Sequence, residues 1–372
     1  MDGILYALLA FVLFVVILGS LVLVHELGHY LVAKRFDVRV LEFGIGFPPR
    51  AKVLRSKGET LWTLNWLPIG GFVRLDGEDG DAATDPRSFS AKPLRVRLTI
   101  LVAGVAMNVL VAFLIFFSIA LLATPVTSVR IGHVEAAGLG GERGGEGSPA
   151  AAAGLQAGDE ILRVDGQQFD VFGGGDVTST LRADAGRAVT LTVLGADGTQ
   201  RDVAVTLRPA AELSDTRGAL GIQVSDRPVT YIGHDLGTSA GIAGNELVRW
   251  GGLIVRGLGD LVSGFIKDPS AAPPASGPIG IAASLADILL GAGPILLLYV
   301  AGILSINLGV VNILPFPPLD GGRMAVLVIK RVFGPRVSLR AERVTYAIGA
   351  VFLLVFVLWI TGFDIARLSS TP

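Results

Sequence analysis

Cysteine is absent from the 372 residues, which excludes disulfides and thiolate metal ligands and leaves His, Asp and Glu as the side chains able to hold a metal. Charge is scarce and balanced: Asp, Glu, Lys and Arg are 17% of the chain and the formal net charge is −1. No basic footprint exists for a nucleic-acid partner, so none is expected. Histidine is rarer still, four in all, yet two of them stand within one five-residue run. What the chain has in quantity is apolar surface. Hydrophobic residues are 51% of the sequence and the mean hydropathy is positive, the composition of a membrane protein that carries a polar module.

A hydrocarbon core about 30 Å thick needs roughly twenty apolar residues to cross it. Four stretches qualify: residues 4–33, 98–123, 293–313 and 344–361. The first is too long for the apolar core of a signal peptide and has neither a basic leader nor a small-residue cleavage site, so it reads as a retained span. Twelve Lys and Arg residues lie from Lys34 to Arg97, and six from Arg323 to Arg343. Basic loops stay in the cytoplasm. The N-terminus, the long segment between the second and third spans, and the C-terminus are therefore expected outside, with the basic loops touching anionic lipid of the bilayer.

The five-residue run is His25-Glu26-Leu27-Gly28-His29, an H-E-x-x-H motif on the first span. On a helix the two histidines share a face and can grip one Zn²⁺, with Glu26 as general base for its water. A chance match is the alternative. Two imidazoles and a carboxylate among leucines and valines carry a desolvation cost that pairing or a metal must offset, which favours the zinc reading. A hydrolytic zinc site takes three protein ligands plus water, so a third ligand should come from another membrane segment. The candidate is Asp320, where an apolar span meets Pro315, Pro317 and Pro318 and then Asp320-Gly321-Gly322. Prolines at that spacing predict unwound chain presenting Asp320, tolerated at membrane depth only beside protein or a water-filled cavity. Alone, Asp-Gly-Gly reads as a helix end and a turn; beside the first-span motif it reads as a ligand.

At these residues the chain resembles the site-2 protease family of intramembrane zinc metallopeptidases, of the bacterial regulator of sigma-E type. VHELGHYLVAKRF (24–36) looks like the family's first-span motif and NILPFPPLDGG (312–322) like its N-x-x-P-x-P-x-x-D-G-G signature. EFGIGF (42–47), LPIGGFVRLDGE (67–78), AGVAMN (103–108) and SGPIGIA (276–282) also resemble family segments, so the likeness covers nearly the whole chain. It implies His25, His29 and Asp320 as zinc ligands, Glu26 as catalytic base, Asn312, Pro315 and Pro317 as shapers of the ligand segment, and Asn108 packed near the site. Val105 departs from the pattern, standing where many members have proline. This bears on helix packing near Asn108.

Residues 61–75 alternate along Leu61, Thr63 and Asn65 against Trp62, Leu64 and Trp66, then turn at Pro68 and Gly70-Gly71, which predicts the strands of a membrane-associated hairpin. The resemblance implies that this sheet pairs with unwound substrate, with Gly70, Gly71 and Phe72 at the contact; a sheet that only covers the cytoplasmic mouth is the alternative. Farther on, SPAAAAGLQAGDEILRVDGQ from Ser148, a helix near 177–182, and strands at 188–194 and 200–207 joined by Asp197-Gly198 resemble a PDZ domain over residues 127–223. The family's well-studied proteobacterial members carry two in tandem, and this chain has room for one. A PDZ-like domain implies binding of peptide C-termini. The Gly-rich insertion at 138–147 is expected to be a flexible loop. Leu247, Trp250, Ile254, Leu258, Leu261 and Phe265 recur at helical spacing with Glu246, Arg249, Arg256 and Asp260 opposite, predicting an amphipathic helix on the outer membrane surface, followed by a linker.

The expected protein is thus an α-helical polytopic membrane protein with four transmembrane helices, a membrane-associated β-hairpin or sheet and an inserted α/β PDZ-like domain. Its parts are an N-terminal membrane part (1–124), the PDZ-like domain (127–223), the outer helix and linker (224–292) and a C-terminal membrane part (293–372). The expected function is zinc-dependent cleavage of transmembrane segments of single-pass membrane proteins, of anti-sigma-factor or remnant-signal-peptide type, in regulated intramembrane proteolysis at the bacterial inner membrane. The competing readings are a noncatalytic membrane PDZ scaffold and a different class of membrane zincin, whose third ligand would be a glutamate on a later helix.

Overall fold

A computed structural model describes residues 3–78, 85–135, 148–173, 175–214, 217–268, 270–273, 275–334 and 339–370. The insertion at 138–147 and Arg336 of the second basic loop lie outside the described residues. The chain divides into two compact units, one of residues 1–117 with 243–372 and one of residues 118–242.

The first unit holds the apolar helices. α1 (Gly3–Arg35), α2 (Leu94–Leu122), α7 (Pro294–Ile313) and α9 (Leu339–Ser370) each contain a window long and apolar enough to cross a membrane. Exposed Leu8, Phe11 and Val16 on α1, and Ile348, Val351 and Leu358 on α9, form apolar surface that water would penalise and lipid does not. α1 and α2 approach closely at Gly28, where a Cβ would lie 2.4 Å from the Ala103 carbonyl oxygen. No larger residue fits that crossing.

β1 (Val40–Arg55) and β2 (Leu61–Leu75) form the sheet of this unit. Residues 61–75 are not a self-contained hairpin as the sequence suggested. Both limbs of β2 pair with β1, one on each side: Val40 pairs with Leu75 and Ile45 with Gly71, while Glu42 and Ile45 also face Leu61 and Leu64. The far limb of β1 then pairs Arg50 with Asn65 and Arg55 with Trp62. Among the described residues no strand pairs with the other side of residues 71–75, which form an open edge of the sheet. A core of Ala33, Val38, Val40, Leu75, Phe89, Ile100 and Leu101 fastens the sheet to α1 and α2.

α5 (Leu236–Lys267) enters this unit at Ala243. Glu246 and Arg249, expected on its solvent face, point inward instead. Glu246 is 3% exposed and accepts from Tyr299 Oη of α7 at 2.7 Å, Arg249 Nη2 at 2.6 Å and Trp250 Nε1 at 3.1 Å. A buried carboxylate is retained only when so satisfied; Arg256 and Asp260 remain exposed. Between the stretch expected to be linker, residues 267–278, and α7 stands a further helix, α6 (Pro278–Ala292). Its first turn explains the SGPIGIA segment: Gly277 and Gly280 donate their N–H groups to the Asp364 carboxylate of α9 at 3.1 and 2.8 Å. Asp364 is 2% exposed. Asp364→Ala strands both donors and is expected to cost about 1–3 kcal/mol, read as a lowered Tm in detergent, with Asp364→Asn losing less because one acceptor oxygen survives. An unchanged Tm in the alanine variant would contradict this.

Among its described residues the second unit has eight strands: β3 (Thr124–Thr127), β4 (Val129–Val134), β5 (Glu160–Val164), β6 (Gln167–Asp170), β7 (Ala188–Leu194), β8 (Gln200–Thr206), β9 (Ile222–Asp226) and β10 (Val229–Ile232). All pairings are antiparallel, along the order β10-β3-β6-β5-β4-β9, with β7 on β5 and β8 on β7. α3 (Pro149–Ala152) starts at Ser148, whose hydroxyl accepts from Ala151 N–H, and α4 (Val177–Ala183) starts at an Asp176–Ser179 capping box. Ile131, Ile161, Phe169, Val177, Leu191 and Leu207 close one core beneath these elements.

Candidate metal centre and cleavage site

His25 and His29 sit four residues apart on α1, so both imidazoles leave the same helix face. They are 5% and 7% exposed. α7 ends at Ile313 and the chain runs without helix through the prolines before α8 (Asp320–Phe333) begins. The carboxylate is therefore presented by the first residue of a new helix, where unwound chain was expected. Gly321 and Gly322 make that possible: a Cβ on either would fall within 2.7 Å of backbone in the 313–317 segment.

The three candidate ligand atoms converge. His25 Nε2 lies 2.9 Å from Asp320 Oδ2, His29 Nε2 lies 3.2 Å from the same oxygen, and the two Nε2 atoms are 3.1 Å apart. Ligands about 2.0–2.1 Å from a tetrahedral zinc are separated by roughly 3.3 Å, so this triangle has the size of one zinc face. The outer ring nitrogens are held as well. His29 Nδ1 donates to the Ile100 carbonyl at 2.8 Å, which turns the Nε2 lone pair toward the triangle. His25 Nδ1 is 3.2 Å from the Asn108 amide nitrogen, while Asn108 Oδ1 is buried with no partner among the described residues. A half-turn of that amide sets the orphaned oxygen on Nδ1–H and frees the second Nε2 lone pair for a metal. The donor set, its size and its outer contacts all fit Zn²⁺. Gly104 of α2 completes the cradle, since a Cβ there would stand 2.4 Å from His29 Nε2 and 2.7 Å from His25 Nε2.

Glu26 borders the same cavity, of about 520 Å³, and its Oε2 accepts from Val73 N–H on the open sheet edge at 3.1 Å. Gly71 and Phe72 line the cavity, as do Asn108 and Asn312. Gly70 stands behind it, against Phe47 and Val22. Pro315 lies in the connection before α8, and Pro317 packs where Gly349 of α9 leaves room for it. Val105 is buried in α2, with its carbonyl oxygen 3.6 Å from where a Gly309 Cβ would be. Two charged lining residues were not read as part of the site: Glu78, just beyond β2, and Arg323, one turn past Asp320, which form an ion pair. Arg323 at i+3 from Asp320 was the available signal.

The profile of peptidase family M50 matches residues 13–356. The chain belongs to that family, the site-2 protease family. This M50 chain is 29% identical to "Zinc metalloprotease RasP" of Geobacillus kaustophilus, over 95% of its own length and 97% of the relative's. It is 28% identical to the protein of the same name from Bacillus licheniformis, over 95% and 98%. To "Regulator of sigma-W protease RasP" of Bacillus subtilis it is 26% identical, over 95% and 98%. The M50 chain is a membrane zinc metalloprotease, and zinc is its cofactor. A noncatalytic scaffold and a zincin of another class are thereby excluded.

Proposed function

We propose that this M50 peptidase cuts single-pass membrane proteins within or beside their transmembrane segments, with His25, His29 and Asp320 holding zinc and Glu26 acting as base. The observation that carries the reading is the triangle of Nε2, Nε2 and Oδ2 atoms with edges of 2.9–3.2 Å at the wall of a cavity that also receives Glu26. The chemistry supplied by bound zinc is a water of pKa about 7 and a polarised carbonyl. Glu26 takes the proton from the attacking water and delivers it to the leaving amine. Ile100 and Asn108 hold the imidazoles in the tautomer that leaves each Nε2 unprotonated. Residues 71–75 receive the substrate as an added strand, with Gly71 and Phe72 against it, because a peptide bond inside a helix is shielded until its backbone is extended. Asn312, Pro315 and Pro317 shape the segment that ends in Asp320.

The excess of Lys and Arg in the loops 34–97 and 323–343 supports an orientation with the sheet and the metal centre toward the cytoplasm and the segment between the second and third spans, with both termini, outside the inner membrane. In that unit, the antiparallel strands with α3 and α4 over one core support a PDZ-like domain that takes peptide C-termini. The name of the Bacillus subtilis relative supports a substrate of the anti-sigma-factor kind and hence a role in regulated intramembrane proteolysis; remnant signal peptides are the other substrate class. The test is metal content and cleavage of a co-reconstituted single-pass reporter. Wild type is expected to hold one zinc per chain and Asp320→Ala to lose most of it together with cleavage. Full zinc and full cleavage in Asp320→Ala would remove the assignment.

A further inference from the structure

We propose that Glu78, anchored by Arg323, terminates the substrate-pairing edge at Leu75 and thereby sets which peptide bond of an extended substrate is cut; this rests on the reading that substrate pairs along residues 71–75. Along a strand, successive residues turn their backbone N–H groups to opposite sides. Asp76 N–H donates to the Arg39 carbonyl at 2.9 Å, on the β1 side. Leu75 and Val73 therefore turn outward, to the open edge. Both outward N–H groups end on carboxylates, Val73 on Glu26 Oε2 at 3.1 Å and Leu75 on Glu78 Oε2 at 3.2 Å.

The two carboxylates are held differently. Glu26 must leave Val73 in any case when it takes a proton from water, so an incoming strand can claim the Val73 N–H. The other oxygen of Glu78 accepts from Arg323 Nη1, a charge-assisted bond that resists displacement. Arg323 stands in the first turn of α8 and keeps 41% of its side-chain surface open, bordering the same cavity as the imidazoles. Added backbone thus pairs at Val73 and stops before Leu75. Because the stop is anchored on the helix that begins with Asp320, the last paired residue keeps a constant offset from the metal centre. Substrate pairing also frees Glu26 at the moment it is needed.

The measurement is the mass of the products from a synthetic single-pass peptide in liposomes of the full-length protein. Glu78→Ala uncovers the Leu75 N–H, and since strand pairing repeats every two residues, a second product displaced by two residues from the wild-type cut is expected. Glu78→Gln, which keeps one oxygen for Leu75 but sets an NH2 group against the Arg323 guanidinium and so loses the anchor, is expected to give the displaced product in a smaller proportion than Glu78→Ala. A pair that merely stabilised the turn would change yield or Tm and leave the cut in place. An unmoved single cut in Glu78→Ala overturns the proposal. If that variant does not accumulate, Arg323→Met releases the Glu78 anchor and carries the same expectation and the same overturning result. The pairing reading is checked separately in wild type with peptides N-methylated at single backbone positions. Slowing at alternate positions supports it, and no slowing at any position overturns both; alternate slowing with an unmoved cut in Glu78→Ala overturns the stop alone.

Discussion

Glu26→Gln is expected to leave the zinc content of the purified protein unchanged while lowering cleavage of a membrane reporter by about 10²- to 10⁴-fold, the range of a general base. The substitution is chosen for what it preserves. Glutamine has the same length and still offers a side-chain oxygen to Val73 N–H, the 3.1 Å bond that ties α1 to the sheet edge. It is not one of the three converging atoms, which belong to His25, His29 and Asp320. What disappears is basicity alone, because an amide cannot take a proton from water at neutral pH. Single-turnover cleavage with metal analysis on the same preparation separates the two effects. Undiminished cleavage would sink the role given to Glu26, and loss of zinc would move it from base to ligand support.

Gly104→Ala is expected to weaken zinc binding by about 10- to 100-fold and to lower cleavage by about 10²-fold, without touching a ligand. A methyl group at this position would sit 2.4 Å from His29 Nε2 and 2.7 Å from His25 Nε2, distances that no carbon tolerates. The helices cannot separate cheaply to relieve it, since α1 meets the α2 backbone at Gly28, one residue before His29. The rings must therefore turn away from Asp320, against the bonds that hold their Nδ1 atoms to Ile100 and Asn108. Overpacking of this kind costs about 1–3 kcal/mol, so a folded protein with a modestly lower Tm is expected. Chelator competition measures the affinity, and a wild-type value in Gly104→Ala would show that the cradle yields.

How much could be read beforehand depended on the range of the interaction. The H-E-x-x-H run announces itself because helical spacing alone puts His25 and His29 on one face. The apolar windows are equally local, and the helices found for them differ from expectation chiefly in length, as for α9, which begins before the fully apolar stretch. Capping at Ser148 and Asp176 and the turn at Gly198 belong to the same class: a few consecutive residues contain the whole cause. Misreadings fell where a distant partner overrides a local pattern. Glu246 and Arg249 follow the polar stripe of α5, but Tyr299 of α7 supplies hydrogen bonds to both that make burial cheaper than exposure. Residues 61–75 have the alternation and turn of a hairpin, yet β1 offers two edges and takes both limbs.

By itself the sequence determined the chemistry available to this protein: no thiolates, two imidazoles a helical turn apart beside a carboxylate, and apolar stretches that commit the surrounding chain to lipid. It also determined that Asp320 would follow a break in helical structure, because prolines lack the N–H a helix needs. Only the tertiary structure decided that this aspartate, 295 positions downstream of His25, meets the imidazoles within hydrogen-bonding distance. It alone decided that Gly104 is the floor beneath them and that Glu78, paired with Arg323, meets the Leu75 N–H at the sheet edge. The physical reason is that helix periodicity and turn preferences act over a few residues, whereas convergence of His25, His29 and Asp320 is set by how α1, α2, α8 and the β1–β2 sheet pack, which no local pattern encodes.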